Sequence, residues 1–311
     1  MGTERPVSQG ASAAGADPGS EVKVSIITVC RNEERLIEET CRSVAAQVFD
    51  DFEWLVIDGA STDGTLEVLE RYRGHMSFFV SEPDGGHYEA MNKGLKQARG
   101  EYLLFLNGGD SLADPLVLAR LFRYETDNRL LAPLKPSLKA DIVFGEQVAR
   151  ETGFMPWPVM PLGRRRLGLL YFKMHSLPHQ AAFIRRSLFE KIGPYETCYT
   201  AMGDYEWFMR AILRWRATYE YVPLVIAVYN YESANVRAVD PHYQGHAERR
   251  RAYRKYALNP YIWAADSINA LRAGLMSGLM LASRLVLPPA LLRRLWLKWN
   301  RLAVRLLRSS Y

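Results

Sequence analysis

The stretch VKVSIITVCRNE, Val22 to Glu33, decides the fold. Its first nine residues are β-branched and nearly all apolar, as a strand buried on both faces requires. Asn32 is placed to cap a following helix, with Glu33 and Glu34 at the positive end of its dipole, and that helix runs to about Gln47. Working outward, a strand is expected over Glu53–Asp58, a helix over Thr65–Tyr72 and a strand over Ser77–Ser81. A helix over Tyr88–Ala98 and a strand over Glu101–Leu106 complete the series. Strands and helices alternating at this spacing predict an α/β fold with a parallel sheet covered on both faces.

In such sheets ligands bind beyond the carboxyl ends of the strands. The polar residues collect there: Arg31-Asn32-Glu33, then Asp58 to Asp63, then Asn107-Gly108-Gly109-Asp110. No G-x-G-x-x-G follows the first strand, which excludes a dinucleotide-binding domain, and no P-loop is present. The absence of a G-x-S-x-G elbow argues against an α/β-hydrolase. Carboxylates and amides converging on one rim suit a nucleoside base, ribose hydroxyls and a hard divalent cation that holds phosphates.

The 311 residues are 48% hydrophobic and 24% charged, a composition that excludes a wholly disordered chain and a polytopic membrane protein. Three cysteines at 30, 41 and 198 form neither a disulfide framework nor a zinc pattern, which suggests the cytosol. From Gly245 onward there are 13 Lys and Arg against 2 Asp and Glu, whereas the preceding residues have 27 against 32. A mildly acidic body with a strongly basic end points that end at an anionic surface. Three regions follow: a disordered tail over 1–20, a body over 21–245 and a basic helical region over 246–311.

Val24 to Thr65 (VSIITVCRNEERLIEETCRSVAAQVFDDFEWLVIDGASTDGT) resembles the opening of the inverting family 2 glycosyltransferases of GT-A fold. Three further blocks continue the resemblance in order. They are SEPDGGHYEAMNKGLKQARGEYLLFLNGGD (Ser81–Asp110), HQAAFIRRSLFEKIGPYE (His179–Glu196) and GDYEWFMR (Gly203–Arg210). The resemblance implies a Rossmann-like, mostly parallel sheet flanked by helices, followed here by the basic amphipathic extension. It implies a nucleotide-sugar donor, most commonly a UDP-sugar, held by Thr28, Asn32, Glu33, Asp58, Asp84, Lys93 and Asn107. Asp204 matches the general base, with Glu206 as the alternative carboxylate, and His179 and Gln180 fall on the acceptor or diphosphate side. Residues 107–110 stand where the family carries an acidic metal motif. Only Asp110 is acidic there, so it is the expected ligand of Mg²⁺ or Mn²⁺, with Asn107 as helper. Asp63 and Thr65 are expected to cap the second helix, while Gly64 absorbs an awkward backbone.

At the far end, Arg294, Lys298, Arg301, Arg305 and Arg308 fall on one stripe of a helix over 289–310, with Leu and Trp opposite. That pattern suits the interface of an anionic bilayer. Upstream, Arg272 and Arg284 bracket only 11 uncharged residues, too few to span. The expected protein is a peripheral enzyme on the inner face of the cell membrane, glycosylating a lipid-linked glycan of a surface polysaccharide. A second subunit is the other partner that could cover the apolar helix face, whereas nucleic acid would leave it without a role. Two readings compete: a sugar-1-phosphate nucleotidyltransferase, disfavoured by a glycine-free Arg31-Asn32-Glu33, and a nucleotide-sugar-binding protein without catalysis.

Overall fold

The computed structural model describes residues 22–122, 139–150, 157–158, 167–230, 232 and 244–260. Strands β1 (Val24–Cys30), β2 (Phe52–Asp58), β3 (Phe78–Ser81) and β4 (Tyr102–Phe105) alternate with helices α1 (Ile37–Ala45), α2 (Thr65–Arg71) and α3 (His87–Gln97). There follow β5 (Ser111–Leu112), α4 (Val117–Phe122), β6 (Ile142–Arg150), β7 (Trp157–Pro158) and α5 (Leu169–Met174). A 3₁₀ turn at His179–Ala181 leads into β8 (Ala182–Arg185) and α6 (Arg186–Ile192). Helix α7 (Gly203–Met209) continues as a π-helical turn to Arg214, before β9 (Tyr219–Asn230) and α8 (Gln244–Ala257).

The nine strands of the described residues join one sheet in the order β3-β2-β1-β4-β8-β6-β9-β5, with β7 beside β6. The first four are mutually parallel, with β1 in the middle, paired to β2 from Val24↔Phe52 to Cys30↔Asp58. Their carboxyl ends therefore open on the same edge. Strands β8 and β5 bring in antiparallel neighbours, and β6 pairs β9 in parallel. Alternate residues of β1 and β2 feed opposite cores, as period-two geometry requires. Ile27, Val29, Leu55 and Ile57 pack with Met91 of α3, whereas Ile26, Trp54 and Val56 pack with Ile37 and Cys41 of α1. Gly94 lets α3 lie close: a Cβ there would stand 2.5 Å from Ile27 Cγ2 and 2.8 Å from Ile57 Cδ1.

Two local expectations are corrected. Asn32 is not the cap of α1, which starts only after Leu36; Asn32 sits at φ +54° and its Oδ1 accepts the Thr62 N–H at 2.8 Å. The chain thus makes an extra turn that ties β1 to the β2 loop. Gly64 has an ordinary φ of −71°, and what it supplies is room, since a Cβ would meet the Glu34 carboxyl at 2.6 Å. Asp63 does receive the Thr65 N–H at 3.0 Å.

Helix α8 crosses the expected boundary at 245/246 and packs on the body, with Ala252 and Tyr256 buried. No helix among the described residues is long and apolar enough to cross a membrane. The tail over 1–20, the apolar stretch at 273–287 and the basic helix over 289–310 lie outside the described residues. The three cysteines are free: Cys30 and Cys41 are buried and Cys198 is exposed.

Candidate active site

The carboxyl end of β2 delivers Asp58 into the protein rather than onto its rim. Its side chain is fully buried and accepts Ser61 N–H at 2.9 Å, Ser61 Oγ–H at 2.5 Å and Ser81 Oγ–H at 2.6 Å. Asp58 therefore locks the β2 turn to β3, and the exposed Arg31 and half-buried Asp84 lie beside that turn. A Cβ on Gly59 would stand 2.7 Å from Asp84 Oδ2 and 3.3 Å from Arg31 Cδ. The bare backbone of Gly59 thus lets Asp84, which also accepts the Gly86 N–H at 2.9 Å, close over the end of β2.

Thr28, expected on the donor side, is wholly buried and its Oγ1 accepts the Trp54 indole N–H at 2.9 Å, inside the sheet. Glu33 is also buried, its Cγ 3.3 Å from where a Gly108 Cβ would be. Lys93 lies on α3 with its ammonium 2.7 Å from Glu82 and 4.0 Å from Glu89, and a hydrogen bond from Lys93 to Glu82 raises its pKa.

Past β4 the structure assembles a chain of side chains drawn from four segments. Asn107 Nδ2 lies 3.1 Å from His179 Nε2, and His179 Nδ1 lies 3.1 Å from Asp204 Oδ2. On the other side Tyr88 Oη–H donates to Asp204 Oδ1 at 2.9 Å. Burial pushes the Asp204 carboxyl up, but the hydrogen bonds from His179 and Tyr88 and the His179 charge outweigh it and hold it below its ordinary value. An ionised Asp204 only accepts, so Nδ1 of His179 carries the proton. Asp204 and His179 are each 14% exposed, which leaves this pair reachable from outside. Gly203 makes the approach possible, since a Cβ there would meet the Tyr88 ring at 2.7 Å.

Asp110 has a different role from the expected one. It is 2% exposed, its Oδ2 accepts Gln180 Nε2–H at 3.1 Å and its Oδ1 accepts the Asn230 N–H at 2.9 Å. Burial pushes its carboxyl up to about 6 against those bonds. It pins the β4–β5 loop, the 3₁₀ turn and the end of β9 together, and Gln180 serves that knot. Among the described residues no group of three or more His, Cys, Asp or Glu is gathered to hold a metal ion. Asn107 Oδ1 is buried without a hydrogen-bond partner, but it is a single amide oxygen. Mg²⁺ is commonly held by one carboxylate with substrate phosphates and water, and Asp110, 2% exposed with its oxygens bonded to Gln180 and Asn230, is not presented for that role as arranged.

Glu206, the alternative base, is fully buried and turned away, with Lys255 Nζ at 2.9 Å, the Tyr256 hydroxyl on the same oxygen and Arg210 at 3.2 Å. His87, Tyr88 and Asn230 were not singled out from the sequence. The first two stand inside the SEPDGGHYEAMNKG block, whose order alone marks them.

A family model described as Glycosyl transferase family 2 matches residues 25–193. A "PGL/p-HBAD biosynthesis glycosyltransferase" of Mycobacterium tuberculosis is 34% identical over 209 residues, covering 66% of this chain and 76% of that protein. Among solved structures, S. aureus TarS 1-349 in complex with UDP-GlcNAc superposes with a TM-score of 0.58 at 21% identity, over 76% of this chain and 67% of that one. A mannosyltransferase from Pyrobaculum calidifontis, in complex with GDP-Man and Mn²⁺, gives 0.51 at 18% identity, over 93% and 83%. At these identities the two structures speak for the fold.

Proposed function

The chain belongs to glycosyl transferase family 2 and is a glycosyltransferase of GT-A fold, and from that premise we propose that it moves a sugar, with inversion, from a nucleotide-diphosphate sugar to a hydroxyl of a lipid-linked glycan. The observation that carries this reading is the Asn107–His179–Asp204–Tyr88 chain beside the strand ends, with a carboxylate kept ionised yet reachable. The Asp204 carboxylate accepts from His179, Tyr88 and the Tyr205 N–H, which leaves one of its four lone-pair sites for an incoming hydroxyl. The acceptor oxygen attacks the anomeric carbon as its proton passes to Asp204, and the sugar–phosphate bond breaks on the opposite face. His179 and Tyr88 keep the carboxylate aimed during that step. Asp84, Gly59 and Arg31 form the donor side, and the Lys93 ammonium is the nearby cation for a departing diphosphate.

A UDP-sugar is the donor to test first, because a UDP-GlcNAc complex is known for TarS; GDP-mannose is second, after the mannosyltransferase. The basic end supports a peripheral enzyme on the inner face of the cell membrane, where lipid-linked acceptors of surface polysaccharides are exposed. The segment beyond α8 is the attachment region in this reading.

The test measures release of nucleoside diphosphate from UDP-glucose, UDP-GlcNAc and GDP-mannose by the full chain, with donor binding followed by thermal shift with and without Mn²⁺. Asp204→Asn should bind donor normally and lose about 100-fold or more in turnover. Near-normal turnover in that variant would remove the base assignment.

A further inference from the structure

Between Cys198 and Gly203 the chain climbs to the start of α7, and side chains from α8 hold it there, Glu248 foremost. Glu248 Oε1 accepts the Thr200 N–H at 2.8 Å and the Thr200 hydroxyl at 2.9 Å. Its Oε2 accepts the N–H groups of Ala201 at 2.8 Å and Met202 at 3.0 Å. Four donors from three consecutive residues thus converge on one carboxylate, two residues before Asp204. Burial raises the Glu248 carboxyl, and the bonds from Thr200, Ala201 and Met202 overcome that and lower it, so it is a charged acceptor.

The rest of α8 grips the same segment. Arg251 lies 4.2 Å over the Tyr199 ring and donates to the Cys198 carbonyl at 3.0 Å. Arg249 lies 5.0 Å over the Tyr205 ring, and Lys255 reaches both Glu196 and Glu206. These contacts fall on residues between Glu196 and Glu206, the segment that carries Asp204. A helix that served only as the first turn of a membrane anchor would have no need of them.

We propose that Glu248 is a positioning residue for Asp204, and that α8 is part of the catalytic unit rather than of the attachment region. Glu248 fixes the backbone of 200–202, which sets where α7 begins and so where the Asp204 carboxylate meets His179 and Tyr88. The proposal rests on Asp204 being the general base. A displacement of about 1 Å at such a group is enough to cost a large factor in rate without weakening donor binding.

The full-length chain is compared with Glu248→Ala, Glu248→Gln, Asp204→Asn and the Asp204→Asn/Glu248→Ala double variant. Amide hydrogen exchange at 200–202 should accelerate in Glu248→Ala, which tests the clamp itself without any substrate. The kcat for UDP release from UDP-GlcNAc should fall about 10- to 100-fold, with UDP affinity and donor KM within about twofold of the parent. Glu248→Gln, which keeps one carbonyl acceptor, should recover part of the loss. In the Asp204→Asn background, Glu248→Ala should cost nothing more, because a group acting through Asp204 has no effect once that carboxylate is gone. Unchanged exchange at 200–202 overturns the proposal. So does a further kcat loss, on adding Glu248→Ala to Asp204→Asn, as large as the loss Glu248→Ala causes in the parent, or a fall in UDP affinity that matches the fall in kcat. Asp204→Asn alone separates the two layers: normal turnover there removes the base reading, whatever Glu248 does.

Discussion

His87 carries a pH signature of the site. Its ring lies 3.9 Å from that of Tyr88, and it faces Asp204, His179 and Glu248. Burial pushes its pKa down to about 4; Asp204 and Glu248 oppose the shift and His179 adds to it. An unfolded histidine titrates near 6.5, so the folded protein resists a proton that the unfolded chain accepts. The stability this group contributes is complete above about pH 6.5 and is lost as the pH falls toward 4, by about 3 kcal/mol at most. His87→Gln should lack that loss. Urea unfolding at several pH values across this window reads it, and identical pH slopes in variant and parent would refute the assignment. Asp204 has the opposite disposition to an elevated catalytic acid: His179 and Tyr88 hold it below its ordinary value.

At the scale of the element, the approach of α3 to the sheet sets the position of everything its first turn carries, Tyr88 included. Gly94→Ala should favour the helix by about 1 kcal/mol in isolation. In the protein the new methyl meets Ile27 and Ile57, and overpacking of this kind costs about 1–3 kcal/mol. The expected net result is a lower Tm together with a weaker response to UDP; a stabilised variant would show that α3 has slack. The strands β1 to β4 were legible because each is a largely apolar run rich in β-branched or aromatic residues, and each of the first three is followed by a helix. The second half was not. Strand β8 is four residues long, β6 carries Gly145 where its register against β9 shifts, and β9 contains Pro223, so their pairing follows from partners far away in the chain. The same reason hid the site's supports. Asp204 and His179 were visible as motif residues, but Asn230 reaches Asp110 across 120 positions, and Glu248 stands in a stretch that reads simply as basic. The partners of Thr28 and Asp58 were hidden for a related cause: a polar residue near a strand end has the same pattern whether it faces a ligand or Trp54 and Ser81.

At the scale of the molecule, charge and fold divide at different places. The basic composition starts near Gly245, whereas the packed body extends through Ala257 by way of α8. Vesicle sedimentation should therefore distinguish two parts of the basic end. The full chain should bind anionic vesicles at low salt and leave them at about 1 M salt, where screening shortens to a few ångströms. A chain ending at Leu258 should keep its Tm and its UDP response yet stay in the supernatant. Retained sedimentation would move the attachment surface into the body. The three thiols offer a further use of this geometry. Burial raises the pKa of Cys30 and takes that of Cys41 up to about 12, whereas Cys198 is open to solvent beside Arg251. A maleimide fluorophore added to the native protein would therefore report from one known spot, two residues ahead of the backbone that Glu248 grips, with no cysteine engineered in or out.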